Sequence, residues 1–145
     1  MSLIWTPELR SAVCRHSEMG YPDEVCGILV GEREGADADK IVREVVAANN
    51  AWEETGEHRR RFRIAPDDFV RAERAARAAG HEVLGFYHSH PDHEAEPSET
   101  DREYAWPMYS YVIQTVHRGV ALAVRSWVLK DDRSGYSEEP LIVRE

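Results

Sequence analysis

Between Thr6 and Gly20 the apolar positions Leu9, Ala12, Val13 and then His16 or Met19 recur at helical spacing, and Thr6-Pro7 supplies an N-cap and the proline that a first turn tolerates. A helix ending near Gly20 is therefore predicted, with Leu3 to Trp5 as a short strand ahead of it. The run from Glu24 to Gly31 is apolar and β-branched, the pattern of a strand buried on both faces; a polar loop from Glu32 to Asp39 separates it from a second apolar run, Ile41 to Val46. These two runs are expected to pair as a hairpin. The chain then turns polar through Asn49-Asn50 and Glu53 to Glu57, and His58 to Ile64 reads as an edge strand. Pro66-Asp67-Asp68 makes an acidic first turn, favourable at the positive end of a helix dipole, for an Ala/Arg-rich helix that stops at Gly80. Val83 to His90 is predicted as a strand, Pro91 to Pro97 as an acidic loop, and Ser98 as the cap of a short helix ending before Pro107. Tyr109 to Val116 and Ala121 to Leu129 form a final strand pair, followed by a turn at Asp131 to Gly135. With no internal repeat, linker or low-complexity segment, the pattern implies a single α/β domain over residues 1–145, a mixed sheet covered by helices.

The length of 145 residues suits one hydrophobic core, and 42% apolar with 31% charged residues is a globular composition. The chain has no run of about 18 uninterrupted apolar residues, and its start, MSLIWTPELR, lacks the basic and apolar regions of a signal peptide, so a soluble cytoplasmic protein is expected. The formal net charge of −9 disfavours polyanions, which argues against nucleic acid and anionic membranes as partners. Cys14 and Cys26 fit no CxxC or zinc-finger spacing and are expected to be reduced thiols. His58-Arg59-Arg60-Arg61-Phe62-Arg63 is the one basic cluster; it reads as a solvated, charge-protected strand edge, with a docking site for an acidic partner as the alternative. Trp5, Trp52, Trp106 and Trp127 are scattered and read as core or partly buried anchors.

The informative stretch is Gly85 to Asp101. Two histidines two apart on a strand, His88 and His90, project from the same face and can share one metal ion. A proline-bounded loop returns the chain to a helix start at Ser98, where Asp101 in the first turn can supply a third ligand. Two nitrogens and one oxygen leave a tetrahedral position for water, the arrangement of a catalytic and not a structural zinc site. Ser98-x-x-Asp101 also reads plainly as an N-cap with an acidic third residue, close to a capping box, and the two readings are compatible. His93 lies outside the ligand pattern and is read as exposed, and Ser89 faces away from the two histidines. Neither His-Glu-x-x-His nor the zinc-deaminase pattern is present.

The whole string, His-x-His, seven residues, Ser-x-x-Asp, resembles the motif of the JAMM metalloenzymes, the JAB1/MPN/Mov34 family, and is complete in His88, His90, Ser98 and Asp101. The resemblance extends to Glu24, which stands where the family has a glutamate on an early strand, and to Arg61-Phe62-Arg63-Ile64, Pro66-Asp67-Asp68, Gly80 and Arg125-Ser126-Trp127. It covers nearly the entire chain and is closest in kind to the short prokaryotic members that resemble sulfur-carrier-protein amino-acid hydrolases. It implies an MPN-type α/β fold, a mixed central sheet flanked by helices, cytidine-deaminase-like.

For chemistry, the resemblance implies one zinc ion held by His88, His90 and Asp101, with water activated near neutral pH. Glu24 would act as general base and then general acid, and Ser98 would donate a hydrogen bond to the developing oxyanion. Cys26 shares the neighbourhood of Glu24 but has no assignable base, so it is read as a structural thiol. The implied substrate is an amide or isopeptide bond at the Gly-Gly C-terminus of a ubiquitin-like sulfur carrier protein or its adduct. A Gly-Gly tail has no side chains and can thread a narrow metal cleft. Two alternatives keep the fold. RadC-like proteins of DNA metabolism share a His-x-His-Pro loop ending in Ser-x-x-Asp, but the net charge and the lack of a helix-hairpin-helix segment count against that reading. A non-catalytic MPN scaffold is what members without the motif adopt, whereas every ligand position is filled in this chain.

Overall fold

A computed structural model describes residues 1–34, 39–52 and 61–145 of the chain. Its elements in order are β1 (Leu3–Trp5), α1 (Pro7–Gly20), β2 (Cys26–Arg33), β3 (Lys40–Ala48), α2 (Pro66–Ala78), β4 (Glu82–Pro91), α3 (Glu99–Tyr104), β5 (Ser110–His117), β6 (Val120–Leu129), β7 (Tyr136–Glu139) and β8 (Leu141–Val143). The strands form one sheet in the order β7-β6-β5-β4-β2-β3-β1-β8. It is mixed: β4 runs parallel to β5, and β1 parallel to β3 and β8, while the remaining pairs are antiparallel.

Helix α1 begins where expected, with Thr6 Oγ1 accepting from Leu9 N at 3.3 Å and Pro7 in the first turn. It packs on one face of the sheet through Val13, against Leu3, Trp5, Leu29, Leu84 and Tyr87. Met19 does not join this core and is 80% exposed, while His16 accepts or donates a 2.7 Å hydrogen bond with the Tyr87 hydroxyl. Helix α2 covers the other face, where Ala72 and Ala76 meet Ile28, Val30 and Val83. Burial from both sides explains why β2 and β4 read as continuous apolar runs rather than alternating ones.

A bulge sets which residues of β4 face which helix. Leu29 pairs with Gly85 and Val30 with Val83, so Leu84 is the extra residue of the ladder. Beyond it Tyr87 belongs to the α1 core, and Phe86 packs on the α2 side. By the two-residue period His88 and His90 fall on the Phe86 side.

One expectation needs correction, and one pair of strands had no signal in the sequence. Of the edge strand read over His58 to Ile64, residues 58–60 lie outside the described residues and 61–64 are irregular: Arg63 O accepts from Ala51 N at 2.7 Å, and other backbone groups turn to the Asn50 side chain. Asn50 donates to Arg61 O at 2.8 Å and accepts from Arg63 N at 3.1 Å. The C-terminal strands β7 and β8 carry no pattern that predicted them, yet they lie at opposite ends of the sheet order while joined only through Pro140. That junction is held by a buried cluster. Lys40 Nζ reaches Glu139 Oε2 at 3.0 Å and Ser110 Oγ at 2.6 Å, and Ser110 and Ser126 both donate to Glu139 Oε1. Among the described residues no helix is long and apolar enough to cross a membrane.

Candidate metal centre

Strand β4 delivers His88 and His90 from its C-terminal end, and both side chains are buried. Asp101 arrives from α3, a helix of six residues that is too short to stand without support. Its N-terminus is a reciprocal capping box: Ser98 Oγ accepts from Asp101 N at 3.0 Å, and Ser98 N donates to Asp101 Oδ2 at 2.9 Å. At its other end Arg133 Nη1 donates to Ala105 O at 2.9 Å. The capping reading of Ser98-x-x-Asp101 is therefore observed, and the same Asp101 oxygen that completes the cap faces the histidines.

The three donor atoms form a nearly equilateral triangle. His88 Nε2 lies 3.1 Å from His90 Nε2 and 3.2 Å from Asp101 Oδ2, and His90 Nε2 lies 3.1 Å from Asp101 Oδ2. Ligands at 2.0–2.1 Å in a tetrahedral zinc site stand about 3.3 Å apart. The donor set is also the borderline nitrogen and carboxylate chemistry that zinc takes. These residues fit a single metal ion. A Glu24 carboxylate oxygen completes the group, all four donor atoms lying within 4.8 Å of one another.

Further contacts orient the ligands. Glu94 O, a pure acceptor, takes a hydrogen bond from His90 Nδ1 at 2.8 Å, which turns Nε2 toward Asp101 and the metal position. His88 stacks on Phe62 with ring centroids 4.3 Å apart and planes at 22°, and its Nδ1 is buried without a partner among the described residues. Ser89, between the two ligands, points the other way and accepts from Val25 N at 2.9 Å, while its own N–H donates to Val25 O at 3.0 Å. Strand β4 thereby fixes the residue next to Glu24. Asn50 Nδ2 adds a 3.2 Å hydrogen bond to Glu24 O.

Electrostatics separate the roles. Burial pushes the Glu24 carboxyl up to about 8, the nearby His90 opposing and Asp101 adding to the rise, and neither Glu24 oxygen has a hydrogen-bond partner among the described residues. Burial likewise acts against the charged form of Asp101, but contact with His88 and His90 outweighs it and holds this carboxyl far below the usual range. Burial lowers His88, whereas for His90 the hydrogen bond and charge of Asp101 overcome burial and raise it. One carboxyl is thus held as an anion among nitrogens, and the other is held by burial toward its protonated form. Cys26 is buried, and burial, with Glu24 and Asp68 adding, pushes its thiol up to about 12, which suits a structural role.

Beside the ligands lies an apolar cavity of about 510 Å³, whose wall includes His88 and Asp101 together with Trp52, Phe62, Trp106 and Tyr136. Trp106 was expected to be a core or partly buried anchor but is 62% exposed on the rim, with Tyr104 and Met108 exposed beside it. Trp5 is fully buried as expected, and Trp52 and Trp127 are half-buried. His93 is exposed and lies outside the donor group. Asn50 escaped sequence reasoning, since an Asn in a polar loop has no spacing that marks it; Phe62 was marked only by the family resemblance, and its stacking on His88 shows in the contacts alone.

Comparison with known proteins agrees with this geometry. Residues 6–130 match the family described as prokaryotic homologs of the JAB domain. The chain is 37% identical over 111 residues to a desampylase of Haloferax volcanii, covering 73% of this chain and 75% of that protein. It is 30% identical over 144 residues to a CysO-cysteine peptidase of Mycobacterium tuberculosis, covering 99% and 92%. The solution structure of a protein from Desulfitobacterium hafniense superposes with a TM-score of 0.84 at 30% identity, over 99% of this chain and 93% of the other. Motif, fold and relatives converge, and the chain belongs to the prokaryotic JAB-domain family of JAMM hydrolases.

Proposed function

We propose that this protein is a zinc-dependent peptidase or isopeptidase that cleaves the amide bond following the Gly-Gly C-terminus of a ubiquitin-like sulfur carrier, releasing an amino acid such as cysteine or a conjugated protein. The observation that carries the reading is the convergence of His88 Nε2, His90 Nε2 and Asp101 Oδ2 at 3.1 to 3.2 Å, with a buried, unpaired Glu24 carboxyl beside them. A relative named CysO-cysteine peptidase supports a C-terminal cysteine as the leaving group.

His88, His90 and Asp101 would hold the zinc ion, which when bound polarises the scissile carbonyl and acidifies a water molecule. Glu24 takes the proton of the attacking water and returns it to the leaving amine; its burial keeps the carboxyl basic enough to accept that proton and acidic enough to release it. The Ser98 hydroxyl accepts from Asp101 N through a lone pair, so its own proton remains available to the oxyanion as the carbonyl becomes tetrahedral.

Glu24 does not line the aromatic cavity, whereas His88 and Asp101 do. With the leaving amine on the Glu24 side, the acyl part of the substrate extends toward the cavity. Two glycines cannot fill about 510 Å³, so apolar side chains upstream of them enter it.

The test is hydrolysis of a Gly-Gly-terminated sulfur carrier bearing a C-terminal cysteine, followed by intact mass, with wild-type, Glu24→Ala and chelator-treated protein in parallel. Cleavage after the second glycine by wild type alone is expected. Turnover that survives the chelator would overturn the metal-dependent mechanism, and no cleavage by zinc-loaded protein would reject this substrate.

A further inference from the structure

The loop joining β4 to α3 presents three consecutive backbone carbonyls to three different groups. Thr115 Oγ1 on β5 donates to His93 O at 2.9 Å, and Trp127 Nε1 on β6 donates to Ala95 O at 2.8 Å. Between these two grips Glu94 O accepts from His90 Nδ1 at 2.8 Å. A peptide carbonyl flanked by two anchored neighbours cannot rotate freely, because ω is planar and only φ and ψ can move.

The grip at Ala95 is the more elaborate. The Ala95 side chain is buried, which seats the loop on the sheet. The indole ring of Trp127 lies under the Arg125 guanidinium, 4.6 Å from the ring centroid. Arg125 in turn binds both Glu138 oxygens at 2.8 Å and reaches Glu96 in the loop at 3.2 Å. The indole is thus fixed by a cation on its face, and that cation is tied to β7 on one side and to the loop on the other.

We propose that Trp127 is a positioning residue for the metal centre: by holding Ala95 O it keeps Glu94 O against His90 Nδ1, and so keeps the His90 ring oriented with Nε2 aimed at the metal position. Trp127 touches no ligand atom, and its effect passes through two peptide units. The inference rests on the metal reading given above.

Trp127→Phe retains the ring body and its stacking but removes the N–H donor. Zinc affinity, measured by competition with a chromophoric chelator, should weaken by about tenfold, the lower end of what lost outer contacts to metal ligands cost. In metal-free protein, ring-nitrogen NMR should show a His90 Nδ1–H that exchanges slowly with solvent in wild type, where Glu94 O holds it, and faster in the variant. Val13→Ala, which thins the core on the α1 face, should lower Tm while leaving both zinc affinity and the His90 signals as in wild type. Wild-type affinity and an unchanged Nδ1–H exchange rate in Trp127→Phe would overturn the proposal, as would an equal loss of affinity in Val13→Ala. The NMR comparison needs no metal, so it judges the clamp even if wild type binds no zinc, an outcome that would instead count against the metal reading.

Discussion

Glu24→Met separates catalysis from stability at one position. The side chain is 3% exposed, and both carboxylate oxygens are buried without partners among the described residues. A buried polar group left unsatisfied costs about 1–3 kcal/mol, and methionine has nearly the same length with no group to satisfy. The metal-free variant should therefore be more stable by about that amount, which at roughly 3 °C per kcal/mol for a chain of this size raises Tm by about 3–9 °C. Hydrolysis should fall by about 10²–10⁴, the usual worth of a positioned general base, with zinc affinity within a few-fold of wild type. The assays are thermal unfolding of chelator-treated protein, carrier cleavage followed by intact mass, and chelator competition for zinc. His88→Ala is the comparator and should lose both metal and activity, because it removes a ligand and opens a void in a fully buried position. A lower Tm for Glu24→Met would refute the view that the fold holds this carboxyl at a cost for chemistry. More than about a tenth of wild-type activity would refute its role as the base.

Lys40→Met strands the Glu139 carboxylate in a site where both side chains are 3% exposed, and urea unfolding should show a loss of about 3–5 kcal/mol. Adding Glu139→Leu should restore at least half of it, and a single variant within 1 kcal/mol of wild type would show that the cluster does not brace the β7–β8 junction. Trp106→Ala removes an exposed rim residue of the cavity and should raise KM for the carrier several-fold with kcat nearly unchanged; an equal fall in kcat would place Trp106 in the chemistry. Cys26, buried and with its thiol pushed up to about 12, should resist alkylation in the native protein and react only on unfolding, as read by mass after a timed exposure; rapid native labelling would contradict its burial.

The grouping of His88, His90 and Asp101 was legible because its spacing is local. A two-residue spacing on a strand puts His88 and His90 on one side wherever the strand lies, and a Ser three residues before an Asp caps a helix wherever that helix packs. The hairpin of β2 and β3, the two longer helices and the paired β5 and β6 were likewise readable from period and caps. The β7 and β8 strands were not, since three or four residues are too few to display a period, and their pairing is dictated by β6 and β1. The segment 61–64 misled for a related reason: Phe62 and Ile64 alternate with arginines as a strand would, but Asn50 takes up the backbone groups that a ladder needs.

What the sequence by itself determined is the identity of the chemistry: two imidazoles and a carboxylate at ligand spacing, a capped helix start, a thiol without a base and a net charge of −9. What only the tertiary structure decided is which distant groups meet that chemistry and in what state. Glu24 lies 64 residues before His88 yet reaches it because β2 and β4 pair with Cys26 opposite His88. The bulge at Leu84 decides which helix the histidines face, and a loop carbonyl, Glu94 O, takes the hydrogen bond of His90 Nδ1. Burial then pushes the Glu24 carboxyl up, while contact with the two histidines holds the Asp101 carboxyl down against its own burial. Spacing along a chain encodes neighbours within a turn or a strand. Contacts across a sheet, and the loss of water that shifts a proton's affinity, exist only once the sheet has formed.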